Sequence, residues 1–169
     1  MTEVSVFGAN EQSDVEVDVL PLVRLTEHVL KAERVRGPAE MSLVLIDEPT
    51  IAVLNEKYLD GSGPTDVLAF PMDVEALPSG RSPDQGGRGP GASADELAPP
   101  TVIGDVLICP SIAARQAEAN GVTLQSELEL LTVHGTLHLL NYDHAEPEEA
   151  AVMEARQREL LESFRALTS

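Results

Sequence analysis

The chain has little cysteine, few aromatic residues and no long apolar run. Its 169 residues include a single cysteine, Cys109, so an internal disulfide is excluded and a reducing compartment is favoured. No window approaches the roughly 18 consecutive apolar residues of a transmembrane helix. The first residues, MTEVSVFGAN, have neither the basic nor the apolar region of a secretory signal. We therefore expect a cytoplasmic protein with no membrane partner.

Positive charge is also scarce. Lys and Arg total 11 against 29 Asp and Glu, which gives a net charge of −18, and aromatic residues make up only 3%. Such a surface has no general attraction for nucleic acid, and an array of base-stacking side chains is not expected. Binding of RNA would require a local cationic patch or a metal ion. Composition alone favours a soluble enzyme or an acidic interaction module.

The apolar periodicity predicts a single α+β domain spanning residues 1–169. Strands are expected at about 3–7, 41–46, 66–70 and 101–109, and helices at about 18–36, 48–58, 110–120, 123–141 and 148–167. Residues 75–100 contain five prolines and five glycines, which predicts a flexible insertion. The expected architecture is a small mixed sheet of about four strands flanked by helices.

Three of the four histidines lie within eleven residues, in the segment H-G-T-L-H-L-L-N-Y-D-H. His134 and His138 are four residues apart, so a helix places both imidazoles on one face. His144 would point roughly 240° away from His138 on an unbroken helix, so the helix must end between them. Asn141 can adopt the left-handed conformation that ends a helix. Three imidazoles that leave a fourth position open are typical of a catalytic zinc site.

The neighbouring residues leave several roles open. The spacing matches the zinc peptidase pattern H-E-x-x-H-x-x-G-x-x-H, but Gly135 stands where that pattern has its general-base Glu, which argues against proteolysis. Asp143 could orient a ligand histidine or shuttle a proton, or it could cap the following helix. Glu127, two turns before His134, is expected to be a solvated carboxylate, and His28 to be an ordinary histidine.

The histidine segment resembles the YbeY family of endoribonucleases, which act in bacterial ribosomal RNA maturation. The family signature H-G-x-L-H-L-x-G-Y-D-H differs only at Asn141, where the family usually has Gly. Further matches are Leu54-Asn55, Tyr58, the stretch from Pro64 to Pro71 and the strand from Gly104 to Cys109.

Two positions depart from the family pattern. Leu59 replaces a common Arg and Ala69 replaces the usual Ser. The missing guanidinium removes a bidentate phosphate contact, for which Lys57 could be a less specific substitute in substrate binding.

The resemblance implies a metal-dependent hydrolase with one Zn²⁺ per chain, or another divalent metal, held by His134, His138 and His144. The implied activity is single-strand-specific cleavage of precursor ribosomal RNA, late in maturation at the 3′ end of 16S rRNA, and in ribosome quality control. The implied partners are RNA, the small ribosomal subunit and its assembly factors. A local cationic patch for RNA is expected around the first helix, from Arg24, Lys31, Arg34 and Arg36. Two alternatives remain open: a zinc hydrolase of another substrate class, and a non-catalytic assembly factor with a structural metal.

Overall fold

A mixed four-stranded sheet forms the centre of the protein. The computed structural model describes residues 4–58, 61–72, 101–142 and 146–168. In chain order the elements are β1 (Val4–Asn10), α1 (Leu20–Ala32), β2 (Ala39–Leu45), α2 (Glu48–Tyr58), β3 (Val67–Pro71), β4 (Thr101–Ile108), α3 (Pro110–Asn120), α4 (Leu124–Leu139) and α5 (Pro147–Thr168). The strand order is β1-β2-β4-β3; β2 is parallel to β1 and β4, and β3 is antiparallel to β4. The predicted α+β class is confirmed.

Each of the expected strands and helices is present, with bounds shifted by a few residues. The predicted insertion at 75–100 lies wholly outside the described residues, so it stays a prediction, as does the extent of the domain. Among the described helices, none combines the length and apolar character needed to cross a bilayer.

The two faces of the sheet bury different helices. Strand β2 alternates, with Met41, Leu43 and Leu45 buried in a core that also contains Leu22 of α1 and Leu128 of α4. The opposite face forms a smaller core, which contains Ile51 of α2 together with Leu68 and Cys109. Cys109 is fully buried at the end of β4, as expected of a small core residue.

Helix α4 lies close against the sheet because of one glycine. A Cβ added to Gly135 would lie 2.8 Å from Val106 Cγ1 on β4, so a larger residue would require the Val106 side chain or the helix to shift. The helix begins after Thr123, whose hydroxyl accepts a hydrogen bond from the Ser126 amide at 3.0 Å and so caps the helix.

Helices α1, α4 and α5 share a third core, which sets the position of α5 beside the histidines. Its buried members are Leu25 and Val29 of α1, Val133 and Leu137 of α4, and Met153, Leu160 and Leu161 of α5. Since this core fixes α5 against α4, polar residues on the same face of α5 are held within reach of the C-terminal half of α4.

Candidate metal centre

The two helical histidines converge on each other. His134 Nε2 and His138 Nε2 are 3.0 Å apart, and the ring planes are nearly perpendicular at 79°. With Zn–N bonds of about 2.0–2.1 Å, two ligands of a tetrahedral ion have nitrogens about 3.3 Å apart. The observed separation is close to that value, so the predicted pairing of these imidazoles on one face is confirmed.

Both imidazoles are oriented through the opposite ring nitrogen. His134 Nδ1 donates to the side-chain oxygen of Gln157, at 2.6 Å, and His138 Nδ1 donates to the carbonyl oxygen of Tyr142, at 3.1 Å. A neutral imidazole that donates from Nδ1 has its lone pair on Nε2. Two such lone pairs 3.0 Å apart repel each other unless a proton or a cation lies between them. This donor set fits a divalent metal that favours imidazole nitrogen.

The chain reverses directly after α4, as the position of Asn141 predicts. Asn141 has a φ of 77°, the left-handed conformation, and its amide donates to the His138 carbonyl. The Tyr142 amide donates to the Leu137 carbonyl, at 3.0 Å. Because these bonds close the turn, the Tyr142 carbonyl is presented to the ring of His138.

The remaining predicted site residues lie outside the described residues or on other helices. His144 and Asp143 lie outside the described residues, and the described residues contain no group of three potential ligands. Lys57 is exposed on α2, the helix that packs against the other face of the sheet, and its Nζ lies 5.2 Å from the ring centre of Tyr58. His28 is bonded to Ser163 of α5, consistent with an ordinary role.

A cavity of about 340 Å³ opens beside His134. Its wall contains four acidic or amide groups and several apolar side chains: Asp66, Val67, Glu127, Leu130, Leu131, Ala150, Met153, Glu154 and Gln157. The prediction that Glu127 is solvated is wrong, because this residue is only 8% exposed. Asp66 on the β3 side and Gln116 on α3 cover it, and neither contact is visible in the local pattern of α4.

Burial changes the chemistry of Glu127. The pKa of its carboxyl is raised, chiefly by desolvation and further by the nearby charge of Asp66. With the Gln116 amide nitrogen facing the carboxylates, it donates to Glu127 Oε2 at 3.0 Å and to Asp66 Oδ2 at 3.2 Å. One amide therefore bridges two acidic groups at the wall of the cavity.

A second group of residues around the histidine pair was missed by sequence reasoning. The Tyr142 hydroxyl donates to Glu33 Oε1, at 2.8 Å, and Arg156 Nε donates to Glu33 Oε2, at 2.5 Å. Gln157, the residue after Arg156, binds His134. The one available signal was that Gln157 is a polar residue on the buried stripe of an amphipathic helix, four residues after Met153.

Comparisons with known proteins identify the family of the chain. The family model described as Endoribonuclease YbeY matches residues 8–165. An Endoribonuclease YbeY from Acidothermus cellulolyticus is 49% identical over 158 residues, covering 94% of this chain and 90% of that protein. One from Salinispora tropica is 44% identical over 166 residues, covering 98% and 99% of the two chains.

A solved structure supports the fold separately. The solution structure of a protein from Thermotoga maritima superposes with a TM-score of 0.60 at 24% identity, covering 94% of this chain and 88% of that one. With a family model and relatives matching nearly the whole length, the resemblance first carried by the histidine segment is confirmed: the chain belongs to the YbeY endoribonuclease family.

Proposed function

We propose that this protein is a metal-dependent endoribonuclease that cleaves single-stranded RNA during maturation of ribosomal RNA. Membership of the YbeY family supports the activity. The observation that carries the metal requirement is the pair of Nε2 atoms on His134 and His138, which face each other at 3.0 Å. The proposed ligands are these two histidines and His144, which follows the turn at Asn141.

Hydrogen bonds within the chain leave the Nε2 atoms of His134 and His138 available to bind a metal. Gln157 and the Tyr142 carbonyl each hold an Nδ1 proton, so Nε2 is kept as the donor atom in both rings. A divalent cation bound there would act as a Lewis acid on a phosphoryl oxygen and would acidify a water molecule. Zn²⁺ suits a three-imidazole set, although other divalent ions are accommodated by the same donors. Asp143 stays a proposed partner for a ligand or a proton.

RNA has to approach a protein with a net charge of −18. The proposed cationic patch is exposed, and it consists of Arg24, Lys31, Arg34 and Arg36 in and just after α1. Its C-terminal end is next to Glu33, which contacts Tyr142 at the histidine turn. These side chains could bind phosphates close to the metal centre, while Lys57 on α2 is a more distant proposed contact.

The proposed substrate is precursor small-subunit ribosomal RNA in the cytoplasm, cleaved at the 3′ end of 16S rRNA. The proposed partners are the small subunit and its assembly factors. The proposal includes a role in ribosome quality control. No observation on the described residues favours a peptidase, because Gly135 has a packing role against Val106 and cannot transfer a proton.

The test is an RNA cleavage assay combined with elemental analysis of the purified protein. We expect about one bound divalent metal per chain and cleavage of a single-stranded oligonucleotide but not of its duplex. His138→Ala should lose both metal and activity, whereas the matched control His28→Ala should keep both. Cleavage that persists in the metal-free His138→Ala protein would indicate a contaminating nuclease and refute the proposal.

A cellular assay separates the enzymatic function from a purely structural one. In cells lacking the protein, we expect unprocessed small-subunit ribosomal RNA to accumulate, and His134→Ala to fail to correct it. Full correction by His134→Ala would instead favour an assembly factor that does not cleave RNA.

A further inference from the structure

We propose that Tyr142, held by Glu33 and Arg156, is a positioning residue that fixes the ring orientation and tautomer of His138. The proposal rests on the proposed function, because its value lies in presenting His138 Nε2 to a metal. It concerns three residues that lie far apart in sequence and meet beside the histidine turn.

The contact with His138 is made by the backbone of Tyr142, whose carbonyl accepts the Nδ1 proton of the ring at 3.1 Å. A peptide carbonyl accepts but cannot donate, so this bond is compatible only with a proton on Nδ1. The direction of the carbonyl therefore decides which nitrogen of His138 is left to face His134.

The direction of that carbonyl depends on how firmly Tyr142 is held. Its amide donates to the Leu137 carbonyl, at 3.0 Å, and its ring packs against the core shared by α1, α4 and α5. Its hydroxyl donates to Glu33 Oε1, at 2.8 Å. These contacts fix the two ends of the residue, and among them the hydroxyl contact is the polar bond that links the turn to α1.

Glu33 is itself immobilised at the end of α1. Its amide donates to the Val29 carbonyl, at 2.9 Å, and Arg34 has a φ of 63°, which ends the helix. Arg156 binds the second carboxylate oxygen, and the side chain of Glu33 is 14% exposed. Burial and the Glu33 carboxylate raise the pKa of the Tyr142 phenol, so the hydroxyl keeps the proton that it donates.

Arg156 and Gln157 are consecutive on α5, and together they reach both histidines. Gln157 binds His134 directly, whereas Arg156 acts on His138 through Glu33 and Tyr142. One turn of α5 therefore orients both rings, which explains how the two Nε2 atoms come to face each other.

The experiment compares Tyr142→Phe with Glu159→Gln. The first removes only the hydroxyl, and the second removes the exposed carboxylate that pairs with Arg156 at 3.2 Å without contacting Tyr142. In metal-free protein labelled with ¹⁵N, the imidazole nitrogens of His138 report the tautomer directly at alkaline pH. We expect the Nδ1–H form of His138 to predominate in wild type and in Glu159→Gln, even against the repulsion between the two Nε2 lone pairs, and its fraction to be clearly smaller in Tyr142→Phe.

Metal affinity gives a second readout that does not depend on RNA. In competition with a chromogenic chelator, Tyr142→Phe should bind Zn²⁺ about tenfold more weakly, at the lower end of the effect of residues that orient metal ligands. Glu33→Gln should weaken binding as well, while Glu159→Gln should match wild type. An unchanged tautomer distribution in Tyr142→Phe would overturn the proposal, whether or not the protein cleaves RNA. A wild-type protein that shows the expected tautomer but binds no metal would refute the proposed function instead.

Discussion

Two carboxylates flank the histidine pair, and their surroundings are opposite in charge. Glu33 receives hydrogen bonds from the Arg156 guanidinium and the Tyr142 hydroxyl. Glu127, near the start of α4, faces Asp66 and the amide of Gln116, and among the described residues no lysine or arginine forms an ion pair with it. Both are largely buried, so the contrast comes from their partners and not from their depth.

The difference indicates that the two carboxylates contribute differently to the stability of the fold. A buried carboxylate with a cation and a hydroxyl is compensated for its desolvation and holds neighbouring elements in place. A buried carboxylate that faces a second acid and an amide, with no cation paired to it, favours the protonated form. We therefore interpret the Glu33 side as the rigid support of the histidines, and the Glu127 side as a costly acidic wall of the cavity.

The largest expected effect comes from removing Arg156, the cation that pairs with Glu33. Arg156→Leu leaves the Glu33 carboxylate with only the Tyr142 hydroxyl, and we expect the free energy of unfolding to fall by about 2 kcal/mol. Urea denaturation monitored by circular dichroism measures this loss. The matched control is Arg165→Leu, whose pair with Glu129 at 2.9 Å is more exposed, and which should cost less than about 1 kcal/mol. Equal losses in the two variants would show that Glu33 is not specially stabilised.

The next prediction tests whether the surroundings of Glu33 and of Glu127 both depend on the position of α4 against the sheet. In Gly135→Ala the added Cβ would lie 2.8 Å from Val106 Cγ1, so either the Val106 side chain or α4 has to shift. Overpacking costs about 1–3 kcal/mol, and the better helix propensity of Ala returns up to about 1 kcal/mol. We expect a net loss of about 1 kcal/mol in urea denaturation, together with weaker Zn²⁺ binding. The double variant Gly135→Ala/Val106→Ala should recover part of the metal affinity; no recovery would contradict a steric origin.

The parts of the site that depend on residues close together in the chain could be predicted from the sequence. The four-residue spacing of His134 and His138 predicts a shared face, and Asn141 predicts the left-handed turn; the structure confirms both. Helix caps and apolar periodicity gave every described element, because these signals act over a few residues. They carry no information about which distant side chains meet.

The residues that were missed or misjudged all depend on such distant contacts. Glu33 reaches Tyr142 across 109 positions and Arg156 across 123. Glu127 is four residues after the cap Thr123, where an acidic residue suits the helix dipole and solvent exposure is the ordinary expectation. Its burial is produced by β3 and α3 together, so only the assembled fold reveals that Asp66 lies near it.

The smallest effect, and the sharpest test of the comparison, is the pH dependence of stability in Glu127→Gln. Because the pKa of Glu127 is raised in the folded state, this carboxyl favours folding when it is protonated, and that contribution is lost as the pH rises through the folded-state pKa. Gln is neutral at every pH. The variant should therefore be slightly more stable than wild type at pH 7, and the difference should shrink towards pH 4, where the carboxyl is mostly protonated in both states.

Thermal unfolding of both proteins between pH 4 and pH 8 measures this difference. The control Glu118→Gln removes the same charge from an exposed position on α3, so it separates local desolvation from the general relief of a net charge of −18. A gain at neutral pH that is equal in the two variants would mean that overall charge repulsion is responsible. A gain confined to Glu127→Gln would show that the acidic wall beside His134 is maintained at a cost to stability.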